Sequence, residues 1–148
     1  MQTTDKSAYI RENGMYMSTP HGRSMLPFIR GERDIVIVVP LTRDAGKYDV
    51  ILYEKSDGTH VLHRVLRVYD DRYFVRGDNC YYNESVPKSS VLGVVSQVLK
   101  GGKQPQKNGL CHKCAVRLWR YGYPFRRLLH AVKIRLYRIY RKIRKKSN

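Results

Sequence analysis

Short runs of β-branched and aliphatic residues, each closed by charged or turn-forming residues, recur through the first hundred positions. Residues 34–40 (DIVIVVP) predict a buried strand, and 49–54 (DVILYE) a second. Asp57-Gly58 is a turn signal, and 59–69 (THVLHRVLRVY) a long third strand. Asp70-Asp71 turns the chain into 72–76 (RYFVR), a hairpin partner, and 90–99 (SVLGVVSQVL) closes the series. The first 18 residues are mixed and predict no clear element. The spacing of runs and turns predicts a mostly β fold: a small antiparallel β domain over residues 1–100.

Residues 101–110, beginning GGKQPQKNG, read as a polar linker. Beyond it the period changes from two to that of a helix. Phe125, Leu128, Leu129, Val132, Leu136, Ile139, Tyr140 and Ile143 fall on one side, and arginines and lysines fill the rest. Pro124 suits a first helical turn. Residues 111–148 are thus predicted to form a basic amphipathic C-terminal helix.

Charge sharpens this division. Residues 1–84 hold all 12 acidic residues and 12 Lys/Arg; residues 85–148 hold no acid and 17 Lys/Arg. The net charge of +17 therefore lies wholly in the second part, and 13 of its cations fall within residues 113–146. Such a tail calls for an anionic partner. There is no run of about 18–20 apolar residues to cross a membrane, and MQTTDKSAYIRENG lacks the apolar core of a secretory signal. Cys80, Cys111 and Cys114 are an odd set, which argues against a disulfide framework. Cys111-His112-Lys113-Cys114 gives two thiol ligands where structural zinc takes four, so no metal or other cofactor is expected.

Three points on the β scaffold carry chemistry. Ser24 lies in HGRSMLPFIR, His63 in the third strand, and Asp78 in Gly77-Asp78-Asn79 at the end of the fourth. A serine hydroxyl needs a neighbouring base to act as a nucleophile, and acyl transfer needs donors for the oxyanion. Val61, His63 and Val65 share one face of their strand, and Leu62, Arg64, Leu66 and Val68 the other. Both faces are largely apolar, so His63 is expected to be partly desolvated, with a tunable pKa. Glu84, six residues after Asp78, is a second carboxylate within reach. Taken singly, Ser24 reads more simply as a turn residue, His63 as a core histidine and Gly-Asp-Asn as a plain turn.

Together and in this order they resemble the type I signal peptidase superfamily of serine endopeptidases. The boxes are Gly22-Arg23-Ser24-Met25-Leu26-Pro27, Lys47-Tyr48-Asp49-Val50 (where members have a Gly-Asp-Val-type start), His63-Arg64-Val65 and Arg76-Gly77-Asp78-Asn79. The resemblance covers residues 21 to about 95. It implies Ser24 as nucleophile and His63 as base, as in the endoplasmic-reticulum and archaeal branch; typical bacterial members and self-cleaving repressors use lysine there. That branch places an aspartate six residues after the Gly-Asp-Asn aspartate; here the position holds Glu84, and both Asp78 and Glu84 stand as candidates to orient the base. Gly22, Met25 and Pro27 would lie on the substrate side. Gly22 replaces the serine that in some members assists the oxyanion hole, leaving the Ser24 N–H. The resemblance further implies an extended precursor or leader peptide, cut after small residues and paired with an exposed edge near residues 15–19.

Members commonly hold themselves to the membrane with a transmembrane helix. Here the basic tail, with Trp119, Tyr121, Tyr123 and Phe125, is expected to lie on an anionic membrane surface, making this a peripheral protein; the missing export signal fits the cytoplasmic side, while the motifs fit secretory processing outside the cytoplasm. The competing reading is a non-catalytic peptide- or nucleic-acid-binding protein on the same scaffold. The tail charge suits nucleic acid, but its aromatics fall on an amphipathic helix rather than a β platform, so nucleic acid is the lesser expectation.

Overall fold

The computed structural model describes residues 6–106 and 109–146. They fall into two compact units, divided between residues 107 and 108. The first unit is a mostly antiparallel β structure. Its elements are helix α1 (Lys6–Asn13), strands β1 (Tyr16–Ser18), β2 (Ile35–Val39), β3 (Val50–Glu54), β4 (His60–Val68), β5 (Arg72–Arg76) and β6 (Glu84–Pro87), a 3-10 turn Lys88–Ser90, and strands β7 (Val91–Lys100) and β8 (Gln104–Pro105). The second unit is helical, with α2 (Leu110–Tyr121) and α3 (Tyr123–Lys146).

The sheet order is β1-β2-β7-β3-β4-β5-β6, with β8 added to β7, and all pairings are antiparallel. The long aliphatic runs occupy the middle. Val50 to Tyr53 of β3 are all buried, as a strand covered on both faces should be. Alternation sorts the side chains into two cores. Val50 and Leu52 join Leu62, Val36, Val38, Val98, Ile10, Met25 and Ile29. Ile51 and Tyr53 join Val65, Tyr73, Val75, Val86 and Ala45.

The five expected strands are present, and the structure adds to them. α1, β1, β6 and β8 were not predicted. α1 buries Ile10 completely in the first core. Among the described residues β1 pairs with β2 alone and stands at the end of the strand order, with Met15 and Met17 half-exposed beside it. A bulge between Val65 and Arg67 breaks the alternation of β4; beyond it Arg67 and Val68 are exposed, so the two-faced pattern ends there. The tail is two helices rather than one. Gly122 ends α2, its N–H donating to the Leu118 carbonyl, and Pro124 takes the first turn of α3. No helix among the described residues is long and apolar enough to cross a membrane.

The segment carrying Ser24 is a loop between β1 and β2, and it is fastened at several points. Asp34, almost fully buried, accepts from the Arg30 N–H (2.8 Å), the Gly101 N–H (3.1 Å) and the Lys100 ammonium (2.8 Å). Lys100 also donates to the Phe28 carbonyl. Burial alone would raise the Asp34 pKa, but these donors outweigh it and the carboxyl is held below its usual range. Met25 and Ile29 then turn inward to anchor the loop in the first core.

Candidate active site

β4 and β5 are neighbours, so His63 and Arg64 lie beside the Gly77-Asp78-Asn79 turn that follows β5. Asn79 reaches back to the Ser24 loop: its N–H donates to the Ser24 carbonyl (2.7 Å) and its Nδ2 to the Arg23 carbonyl (3.2 Å). Gly77 sits at the meeting point. A Cβ placed on it would lie 2.7 Å from the Ser24 carbonyl oxygen, 2.7 Å from Cys80 Sγ and 3.0 Å from His63 Nε2. The Ser24 main chain and His63 Nε2 therefore approach the same point, and only a residue without a side chain fits between them. Ser24 itself is half-buried and His63 is 2 % exposed.

The two halves of the His63-Arg64 pair are used differently. Arg64 makes a two-pronged ion pair with Asp78, Nε to Oδ1 at 2.8 Å and Nη2 to Oδ2 at 2.7 Å, both side chains being buried. Its Nη1 donates to the Tyr48 carbonyl (2.8 Å), and its guanidinium lies 5.5 Å from the Phe28 ring centroid. Arg64 thus ties together the Ser24 loop, the residue 47–50 box and the Gly-Asp-Asn turn. Tyr48 adopts φ 78°, a left-handed conformation that costs a non-glycine residue about 1–2 kcal/mol. Its N–H donates to Val65 and its carbonyl accepts from Arg64, which holds it there.

His63 faces a different carboxylate. Its Nδ1 lies 3.1 Å from the Tyr53 hydroxyl and 3.6 Å from Glu84 Oε1. Tyr53 donates to Glu84 Oε2 at 2.7 Å, and Lys55 Nζ approaches the same oxygen at 3.0 Å. Burial pushes the His63 pKa down, only partly offset by the Glu84 charge. Burial raises Glu84, but bonds from Tyr53 and Lys55 and the nearness of His63 outweigh it, so the carboxyl is held below its usual value. Tyr53 is driven far above the ordinary phenol range by burial and then by Glu84. An open groove of about 860 Å³ runs past Tyr53, Lys55 and Glu84; neither Ser24 nor His63 lines it.

Of the two candidate carboxylates, then, Asp78 is engaged by Arg64, and Glu84 is the one beside His63 Nδ1. Of the three residues expected on the substrate side, Gly22 and Pro27 are exposed. Met25 is 4 % exposed and packs in the first core, where it anchors the loop. Tyr53 and Lys55 were not singled out from the sequence, nor was the role of Arg64. A tyrosine in an aliphatic strand reads as a strand former; the signal lay in its position two residues from Ile51, which pairs with His63. Among the described residues no group of three or more His, Cys, Asp or Glu is gathered as for a metal ion. No family model matches the chain, and no curated protein matches it.

Proposed function

We propose that this chain is a serine endopeptidase of the type I signal peptidase kind, cutting precursor or leader peptides after small residues. The observation that carries this reading is the convergence at Gly77, where the Ser24 main chain and a desolvated His63 Nε2 approach one point while His63 Nδ1 is engaged by Tyr53 and Glu84. In this reading His63 Nε2 takes the Ser24 proton as Oγ bonds to the scissile carbonyl carbon. The proton passes to the leaving amine as the C–N bond breaks, and water then hydrolyses the acyl-serine. An extended substrate adds to the outer edge of β1, six residues before Ser24. Precursor peptides carrying Ala-x-Ala, incubated with the wild type, Ser24→Ala and His63→Ala and read by mass, test it. Cleavage after a small residue by the wild type alone is expected; equal cleavage by Ser24→Ala overturns it.

The second unit supports a membrane-surface setting. α3, about 36 Å long, exposes Phe125, Leu128, Leu129, Val132, Leu136 and Ile139 along one stripe, and no acid occurs in either helix. Interfacial helices combine these two features, and each cation near an anionic leaflet contributes about 1 kcal/mol. Sedimentation with phosphatidylglycerol-containing vesicles, lost with neutral vesicles and with Leu128→Glu/Leu136→Glu, is the expected result. Preferential, salt-sensitive binding to duplex DNA that survives those substitutions would favour nucleic acid instead.

A further inference from the structure

We infer that Tyr53 is a positioning residue of this site, its hydroxyl linking the Glu84 carboxylate to His63 Nδ1 and leaving His63 Nε2 bare to accept a proton. The inference rests on the peptidase reading and deepens it. Its starting point is the register of the sheet. His63 is on β4 and Glu84 opens β6, with β5 between them. Two strand spacings amount to about 9.6 Å. Glu84 Oε1 comes to 3.6 Å from His63 Nδ1, too far for a good hydrogen bond. Tyr53 bridges the gap from β3. It pairs with Val61 while Ile51 pairs with His63, so Tyr53 is the diagonal neighbour of His63 across the β3–β4 ladder.

Proton counting fixes the direction of the chain. A tyrosine hydroxyl has one proton to give and an oxygen that accepts. An ionised carboxylate has none to give, so at 2.7 Å the Tyr53 proton goes to Glu84 Oε2. The Tyr53 oxygen is then an acceptor at 3.1 Å from His63 Nδ1, and Nδ1 must supply the proton. In a neutral ring that leaves Nε2 unprotonated, on the side where Gly77 and the Ser24 carbonyl converge. Glu84 Oε1 completes the picture: it is buried and, among the described residues, has no hydrogen-bond partner. A lone acceptor there is costly at rest. When His63 takes a proton, positive charge appears 3.6 Å from that oxygen, which is then compensated. Lys55 holds the other oxygen and fixes the carboxylate in place.

The groups facing the imidazole are Tyr53 from β3, Glu84 from β6, Lys55 just after β3, and Asp78 and Cys80 from the turn after β5. Glu84 and Asp78 favour its protonation, Lys55 and burial oppose it. Removing the Glu84 charge therefore lowers the pH at which His63 titrates.

The test is a long-range proton–nitrogen spectrum of the imidazoles in the 15N-labelled full chain, in the wild type, Tyr53→Phe and Glu84→Gln, with peptide hydrolysis measured alongside. Tyr53→Phe keeps the ring in the second core, so its fold is retained, and Glu84→Gln provides an independent variant. The wild type is expected to show neutral His63 protonated on Nδ1. Tyr53→Phe is expected to lose that preference and to lower kcat about tenfold or more, with KM little changed. Glu84→Gln is expected to shift the acid limb of kcat/KM to lower pH. A wild-type His63 protonated on Nε2, or a Tyr53→Phe protein with unchanged tautomer and kcat, overturns the inference. The tautomer is read without substrate, so it separates this outcome from failure of the peptidase reading, which appears as Ser24-independent cleavage.

Discussion

Asp78→Asn is the substitution that separates architecture from chemistry in this site. The Asp78 and Arg64 side chains are 1 % and 6 % exposed and joined by two short charge-assisted bonds. Asparagine keeps the shape, removes the charge and turns an amide toward the guanidinium. The Arg64 charge then stays buried beside a neutral amide, the Tyr48 carbonyl and the Phe28 ring, without the carboxylate that balanced it. Breaking a buried pair by removing one partner costs about 3–5 kcal/mol, which for a domain of this size lowers Tm by about 10 °C or more. Urea and thermal unfolding followed by circular dichroism measure both. Glu84→Gln makes the contrast, because Glu84 is only partly buried and the Arg64 pair is left intact; its cost in stability is expected to be about 1 kcal/mol or less, and its effect to fall on turnover. The reverse pattern, an Asp78→Asn protein of wild-type stability but without activity beside a fully active Glu84→Gln, would make Asp78 the group that orients His63 and refute the division of roles.

Gly77→Ala introduces a Cβ 2.7 Å from the Ser24 carbonyl and 3.0 Å from His63 Nε2; it is expected to reduce hydrolysis at least a hundredfold with the far-UV spectrum retained, since the loop rather than the sheet must give way. Stability is expected to fall with acid in two stages. The unfolded chain protonates His63 near pH 6.5 while the folded chain resists, so stability is present above that pH and lost as pH falls below it. Glu84 and Asp34, held below their usual values, add a second loss as pH falls below about 4.5 and 3.8; urea midpoints across pH should show both, and His63→Gln should flatten the first. Tyr48→Gly relieves a left-handed tyrosine, a conformation costing about 1–2 kcal/mol, and is expected to hold or raise the urea midpoint, whereas the β-branched Tyr48→Val should lower it.

The sequence made the interior strands legible because each is a continuous β-branched run bounded by turn residues. It hid β1, β6 and β8 because YMS, ESVP and QP are short and carry little pattern. It hid α1 because KSAYIREN carries little apolar periodicity beyond Ile10, which is fully buried in the core. The bulge at Val65–Arg67 was invisible because alternation is interrupted by hydrogen bonding rather than by composition. In the candidate site, the order of the boxes pointed to Ser24 and His63. The division between Asp78 and Glu84 needed the register, since it depends on Arg64 pointing away from His63 along one strand and on β5 separating β4 from β6. Tyr53 was hidden for the same reason, its hydroxyl function being set by a diagonal across the ladder.

Mass analysis of one leader peptide after incubation with the wild type and with Ser24→Ala decides whether Ser24 is the nucleophile of a peptidase. A single cut after a small residue by the wild type and an intact peptide with the variant are expected. Identical products from both proteins would contradict that role.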